Sequence, residues 1–186
     1  MERKIIVAVD QGEESSYALC WSLKNILCSS SDTLILLYAK PPRNIYPSVD
    51  GTGRPRDFLL RQGYMFSQDI VATMERYGNE VAESVIRKAK KFCQDYPQIK
   101  VEIKVECGDA RDVICEVAEK LNVDMVVLGS HGYGALKRAF LGSVSNHCAQ
   151  NIKCPVLIVK QPKKASPTSP PAAAAAAAAT SGGKQE

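Results

Sequence analysis

Residues 124–145 read DMVVLGSHGYGALKRAFLGSVS, and they are the most informative part of the sequence for the fold. Its first five residues, DMVVL, are mostly apolar and typical of a strand buried on both faces of a parallel sheet. A glycine-rich loop from Gly129 to Gly142 follows, and a short helix is predicted to begin at Ser143. Glycines at such a junction let backbone amides approach an anion closely. The stretch therefore predicts one unit of an α/β fold with an anion site at the start of its helix.

The rest of the sequence contains four more runs that predict strands: Ile5–Val9, Thr33–Ala39, Ile99–Val105 and Pro155–Lys160. Helices are predicted between the strands, because apolar residues there recur with a helical period. Strands that alternate with helices through right-handed crossovers form a parallel sheet with helices on both faces. The predicted fold class is therefore α/β, a doubly wound parallel five-stranded sheet with strand order 3-2-1-4-5.

Two of these elements carry more detailed predictions. Ile99–Val105 alternates apolar and polar residues, which is typical of a half-exposed strand at a sheet edge. The longest helix is predicted over about residues 68–95, and Met74 belongs to the apolar stripe that is expected to face the core.

The predicted strand order also locates a ligand site. Doubly wound sheets bind ligands at the carboxyl ends of their strands, at the point where the strand order reverses. The first and fourth strands meet at that point, so Asp10 is expected beside Gly129.

The composition divides the chain into one domain, residues 1–160, and a tail, residues 161–186. Prolines and a run of eight alanines fill the tail, which is predicted to be disordered because it has no apolar stripe to dock. Residues 40–66 are rich in proline and glycine and form an irregular insert, which could cover a ligand or dock a partner.

Charge and motif content exclude several classes of function. The formal net charge is +4, and the tail after Lys160 carries +2 of it, so the domain is nearly neutral and no nucleic-acid partner is expected. The sequence contains no P-loop, no dinucleotide-binding G-x-G-x-x-G after the first strand, no G-x-S-x-G and no metal-ligand spacing.

The apolar run Ile5–Val9 is too short for a signal peptide or a membrane span, so we expect no membrane partner. An odd number of cysteines, seven, without C-x-x-C spacing, favours a reducing compartment. The expected location is the cytoplasm, with access to the nucleus. A thiol such as Cys20 or Cys28 in redox-regulated assembly is kept as an alternative.

The spacing of the loop glycines is the most specific signal in the chain. Gly129, two residues, Gly132, nine residues, Gly142 and Ser143 match the G-2x-G-9x-G-(S/T) signature of ATP-binding universal stress proteins. Over residues 1–160 the chain resembles this family, also in IIVAVDQGEESSYAL near the start and LGSVSNHCAQNIKCPVLIVK at the end. The resemblance implies an adenine nucleotide alpha hydrolase-like fold. The insert at residues 40–66 looks like that of plant members of the family.

The resemblance also implies roles for individual residues, with ATP or AMP as the ligand. Asp10 would lie by the ribose or phosphates and could hold a magnesium ion indirectly. Val9 and Ala39 would line the adenine pocket, and Leu128 and Gly129 would offer backbone contacts to adenine and ribose. The phosphates would be held by Gly132, Gly142, Ser143, Val144 and Ser145. The residues themselves allow structural alternatives, since Ser143 could cap the helix and Asp10 could form a turn.

The first functional hypothesis is a nucleotide-binding, stress-response module of regulatory or chaperone-like action. No catalytic residue is identified, so at most slow ATP hydrolysis is expected. The alternatives are an interaction module with a vestigial site and the redox-regulated protein. A homodimer is expected through the strand Pro155–Lys160, because a short apolar edge strand invites pairing and because the family implies it.

Overall fold

The computed structural model describes residues 2–27, 30–42, 68–131 and 141–162, with side chains omitted for residues 68–71. The predictions for the insert, for the tail beyond residue 162 and for Gly132 lie outside the described residues. The described elements, in chain order, are β1 (Arg3–Ala8), α1 (Glu13–Asn25), β2 (Asp32–Lys40), α2 (Gln68–Cys93), β3 (Lys100–Cys107), α3 (Ala110–Leu121), β4 (Met125–Gly129), α4 (Ser143–Asn151) and β5 (Val156–Val159).

The five strands form one sheet with the order β3-β2-β1-β4-β5, and every pairing is parallel. The predicted fold class and strand order are therefore confirmed. In the central strand, Ile5 is paired with Leu34 of β2 on one side and with Met125 of β4 on the other. β3 is an edge strand with partly exposed side chains, as its alternating pattern predicts.

Successive residues of β1 supply two separate cores, one on each face of the sheet. Ile5 and Val7 pack with residues of α1 and α2, and both are almost fully buried. Ile6 points to the opposite face and packs with Ile114 of α3 and Cys148 of α4. Because both faces of the central strands are covered by helices, these strands are apolar at almost every position.

The expectation for Met74 is wrong, because its side chain is 67% exposed. The buried stripe of α2 begins only at Ala82 and continues through Val85 to Cys93. A helix of 26 residues is about 39 Å long, whereas the nine residues of β2 span about 30 Å. The sheet is too short to cover the whole helix, and the first turns of α2 extend beyond it.

A charged pair closes the amino-terminal edge of the sheet. The Arg3 guanidinium donates hydrogen bonds of 2.9 and 2.7 Å to the two carboxylate oxygens of Asp32, which is 1% exposed. Arg3 also donates to the carbonyl oxygen of Ile26 at the end of α1, at 3.3 Å. The two-pronged geometry compensates the burial of the Asp32 charge and ties β1 to β2 and α1.

The carboxyl end of β4 lies directly against the first turn of α1. A Cβ atom on Gly129 would be 3.0 Å from the Glu14 carbonyl carbon and the Ser15 nitrogen, and 3.1 Å from the Glu14 oxygen. These are backbone atoms of a packed helix, so they cannot move aside without displacing it. Glycine at this position is therefore required for α1 to pack on the sheet.

We expect Gly129→Ala to lower the free energy of unfolding by about 1–3 kcal/mol, because the added methyl group forces α1 away from β4. Urea denaturation followed by circular dichroism measures this change. Gly78→Ala is the matched control, since a Cβ there meets only the end of the Lys40 side chain at 3.6 Å. In the interior of α2 the same substitution should stabilise the protein by about 0.5–1 kcal/mol. Equal stability of Gly129→Ala and the wild type would contradict the packing argument.

Asp109 caps the N-terminus of α3. Its carboxylate accepts hydrogen bonds from the backbone N–H of Arg111 at 2.9 Å and from the Arg111 guanidinium at 3.0 and 2.7 Å. The hydrogen bonds from Arg111, first from its side chain and then from its backbone, lower the pKa of Asp109 from 3.8 to about 2. A carboxyl group with a depressed pKa stabilises the fold above its unfolded pKa and loses that contribution as pH falls through about 2.

Asp109→Ala should lower the free energy of unfolding at pH 7 by about 1 kcal/mol, because the N-cap acceptor is lost. The difference from the wild type should shrink as pH falls from about 4 to about 2, as the wild-type carboxylate becomes protonated. Urea denaturation at a series of pH values measures both effects. Asp109→Asn, which keeps a capping oxygen without the titration, is the control, and a difference that does not vary with pH would contradict the assignment.

Candidate functional site

The reversal of strand order lies between β1 and β4, and it brings two predicted site segments to the same edge of the sheet. Val7 pairs with Val127, so the chain emerges from β1 at Val9 next to the end of β4 at Gly129. The Val9 amide continues the ladder by donating to the Leu37 carbonyl of β2 at 2.9 Å. The expected proximity of the first and fourth strand ends is present, and this is the position at which doubly wound sheets bind ligands.

The three apolar residues predicted to contact adenine and ribose lie at this edge but in different layers. Val9 is 6% exposed and packs in the core beneath α1 and α2. Leu128 and Ala39 belong to the core beneath α3 and α4, and Ala39 is only half-buried. Of the three side chains, that of Ala39 is the most accessible to a ligand, while Val9 and Leu128 can offer mainly backbone.

Asp10 forms the turn that leads from β1 into α1. Its Oδ1 accepts hydrogen bonds from the backbone N–H of Gly12 at 2.8 Å and from Ser15 Oγ at 2.5 Å. The turn-forming alternative for Asp10 is therefore present in the structure. Burial raises the pKa of the Tyr38 hydroxyl, and the nearby Asp10 charge raises it further.

The N-terminus of α4 is capped by Gly142 in an extended conformation (φ −60°, ψ 155°), and in the described part of the chain this cap makes no side-chain hydrogen bond. Ser143 is the first helical residue and is exposed, so the alternative in which it caps the helix is wrong. The amides of Ser143, Val144 and Ser145 have no carbonyl within their own helix to bind, because they belong to its first turn. This turn contains no acidic residue, in contrast to α1 with Glu13 and Glu14.

Ser145 has a structural function in addition to its place in the first turn. It is 4% exposed, and its Oγ donates to the Gly129 carbonyl at 2.8 Å and lies 3.4 Å from the Ser130 carbonyl. The Gly142 amide donates to the same Ser130 carbonyl at 2.8 Å. These bonds join the two ends of the glycine loop at its base. The Ser145 hydroxyl therefore has a structural role, and its backbone amide lies in the first turn of α4.

A contact that the sequence does not suggest anchors the loop base from the other side. Ser130, 1% exposed, donates from its Oγ to Glu14 Oε2 at 3.0 Å and lies 3.1 Å from His131 Nδ1. The Gln161 amide, just beyond β5, also donates to Glu14 Oε2 at 3.4 Å. Glu14 reads in sequence only as a favourable acidic residue in a first helical turn. No local pattern relates it to a serine 116 positions away.

The described cysteines give little support to thiol chemistry. Burial raises the pKa of the Cys93 thiol to about 11 and that of Cys148 to about 12. Burial also raises the pKa of Cys20, so the reactive thiolate form is disfavoured at all three positions. Cys28 lies outside the described residues, and Cys107 is exposed.

Within the described ranges, no group of three or more His, Cys, Asp or Glu side chains could hold a metal ion. None of the helices in the described part of the chain is long and apolar enough to cross a membrane.

Comparison with known proteins agrees with this architecture. The family model of the Universal stress protein family matches residues 1–160. Among curated proteins, universal stress protein PHOS34 of Arabidopsis thaliana is 30% identical over 86% of this chain and 62% of its own length. Universal stress protein PHOS32 of the same plant is 29% identical, over 86% of this chain and 65% of its own length. The chain thus matches slightly less than two thirds of these two relatives.

Solved structures show the same fold. The structure of protein MJ0577, a universal stress protein of Methanocaldococcus jannaschii, superposes with a TM-score of 0.65 at 24% identity, over 88% of this chain and 99% of that one. A universal stress protein family protein from Arabidopsis thaliana with AMP bound superposes with a TM-score of 0.56 at 21% identity, over 89% and 97% of the two chains. The strand order, the glycine loop between β4 and α4 and the family match over residues 1–160 agree, and this chain belongs to the universal stress protein family.

Proposed function

We propose that this protein binds an adenine nucleotide at the carboxyl edge of β1 and β4 and acts as a nucleotide-dependent regulatory module in the stress response. The observation that carries the proposal is the start of α4. Gly142 caps the helix without a side chain, its first turn contains no acidic residue, and the first-turn amides and the helix dipole favour an anion there. A phosphate chain on these amides would lie beside the strand reversal, where the nucleoside would find the ends of β1 and β2.

Two comparisons favour adenine as the base. One structural neighbour was crystallised with AMP bound, and another, with a TM-score of 0.52, was crystallised in complex with cAMP. Both are less than 25% identical to this chain, so they demonstrate a shared fold, and their ligands suggest which nucleotides to test first. The G-2x-G-9x-G-(S/T) spacing supports the same ligand class, with ATP and AMP as the candidates.

One residue near the proposed nucleotide site, Asp10, would take part in holding a magnesium ion. Mg²⁺ is usually bound by one or two carboxylates, by several waters and by substrate phosphates. Asp10 is the acidic residue that directly follows β1, and its Oδ1 accepts two turn-forming hydrogen bonds. An ion that accompanied a triphosphate would be held indirectly, by Asp10 through water. AMP binding would not need it.

The proposal is tested by removing one amide from the helix start. Ser143→Pro deletes the N–H of the first helical residue, a position where proline is tolerated. Gly142 already has the extended conformation that a residue before proline adopts. We expect Ser143→Pro to weaken ATP binding by about tenfold in calorimetric titration, because a hydrogen bond to a charged phosphate is lost. The melting temperature should change little.

Ser143→Ala is the matched control, because it removes the hydroxyl group and keeps the amide. If the amides bind the phosphates, this variant should lose less affinity than Ser143→Pro. Unchanged ATP and AMP affinity in Ser143→Pro would reject this phosphate position. Absence of binding by the folded wild-type protein would favour the alternative of an interaction module with a vestigial site.

We further propose that the chain forms a homodimer through residues 155–160. β5 is the outer strand next to β4, and Val156, Leu157 and Ile158 are only half-buried in the single chain. An apolar edge strand that is left partly uncovered favours pairing with a second copy.

Ile158→Asp should convert the dimer to a monomer, because the carboxylate would be desolvated between two edge strands. Light scattering coupled to size-exclusion chromatography measures the mass. Gln150→Asp, which puts the same charge on the exposed side of α4, should leave the dimer intact. A dimer that persists in Ile158→Asp would show that the chains associate elsewhere.

A further inference from the structure

The glycine loop leaves β4 and returns to α4 through a base whose two ends are hydrogen bonded to each other. The Gly142 amide binds the Ser130 carbonyl at 2.8 Å, and Ser145 Oγ binds the Gly129 carbonyl at 2.8 Å. These bonds join the ends of the loop to each other. Contacts with elements outside the loop add to the orientation that β4 and α4 already give to the base.

Glu14 supplies such an attachment. Its Oε2 accepts a hydrogen bond from Ser130 Oγ at 3.0 Å and another from the Gln161 backbone nitrogen at 3.4 Å. The Ser130 amide in turn donates to the Val159 carbonyl at 3.0 Å. One carboxylate oxygen of α1 therefore contacts the loop base and the exit of β5 together.

The hydroxyl of Ser130 is at the centre of this arrangement, and its single proton limits the pattern. An ionised Glu14 carboxylate has no proton to donate, so in this hydrogen bond Ser130 Oγ is the donor and its proton points at Glu14. His131 Nδ1, 3.1 Å from the same oxygen, then approaches its lone pairs and can bind only as a donor. The contact thus also helps to orient the imidazole ring of His131, the residue immediately before Gly132.

We propose that Glu14 is the positioning residue of the loop base, which consists of Gly129, Ser130, Gly142 and Ser145. Glu14 holds this base against α1 and β5 so that the α4 amides face the end of the sheet at which the nucleotide would bind. The part that concerns ligand affinity rests on the proposed nucleotide-binding function. The part that concerns the loop base is independent of it. Glu14 does not itself touch the ligand in this proposal.

The first experiment tests the loop base without nucleotide, by hydrogen–deuterium exchange followed by mass spectrometry. In Glu14→Ala, peptides that contain Ser130 and Gly142 should exchange faster by about fivefold, which corresponds to the loss of about one net hydrogen bond. Peptides from β2 and β3 should be unchanged. Equal exchange at the loop base in Glu14→Ala and wild type would overturn the proposal, whether or not the protein binds nucleotides.

Calorimetric titration with ATP is the second experiment, and it uses matched variants. Glu14→Ala should bind about fivefold more weakly than wild type. Glu14→Gln should bind within about twofold of wild type, because its amide oxygen can still accept from Ser130. Glu13→Ala removes the same charge from the same turn, and Glu13 is exposed with no described contact to the loop. It should not bind more weakly, since removing a negative charge near an anion site favours the anion.

Ser130→Ala and the double variant Glu14→Ala, Ser130→Ala complete a double-mutant cycle. The double variant should bind ATP no more weakly than the single variant with the lower affinity, because both substitutions remove the same contact. Additive losses would overturn the proposal, as would a Glu14→Gln variant that behaves like Glu14→Ala. If Glu14→Ala does not fold, the cycle is carried out with Glu14→Gln and Ser130→Ala by exchange, where Ser130→Ala alone must accelerate exchange at Gly142. If wild type and Glu13→Ala bind no ATP, the nucleotide proposal fails and the exchange experiment alone decides the role of Glu14.

Discussion

The close approach of α1 to the carboxyl end of β4 is the contact on which the rest of the site depends. At Gly129 the two backbones are so near that a Cβ atom would be 3.0 Å from atoms of Glu14 and Ser15. Only a glycine allows a helix to begin over a neighbouring strand at this distance. Because α1 sits there, Asp10 and Ser15 can form the turn out of β1, and the Glu14 side chain is brought to Ser130. A wider separation would leave the loop base without its contact to α1.

The same edge of the sheet combines two kinds of helix start. α1 has Glu13 and Glu14 in its first turn, and the cap of α3 is the Asp109 carboxylate, so negative charges of the protein itself lie at the starts of both helices. α4 begins with Gly142 and two serines and carries no acidic residue in its first turn. A helix end without an internal anion is the one that can accept an external anion, and the loop base places it at the strand reversal.

The serines near the site fall into two groups with different structural roles. Ser15, Ser130 and Ser145 are buried and use their hydroxyls to hold the turn and the loop base. Ser143 is exposed, and its side chain is not needed to cap the helix. A ligand would therefore meet mainly backbone amides, whose direction is set by packing and not by side-chain rotamers. Such a site suits phosphates, and it depends strongly on the residues that orient the loop.

The element order, the parallel sheet, the strand order and the family could all be predicted from the sequence. Runs such as DMVVL and the alternation in β3 depend on burial of each face of a strand, which is a local property of the sequence. The glycine spacing likewise identified the loop and the start of α4. Only the tertiary structure decided that Met74 is exposed, since the length of α2 relative to the sheet is not a local property. The contact of Glu14 with Ser130 joins residues 116 positions apart through the packing of α1 on β4, and no periodicity reports such a distance. For the same reason, the family resemblance implied a phosphate role for Ser145 without showing that its hydroxyl donates to the Gly129 carbonyl.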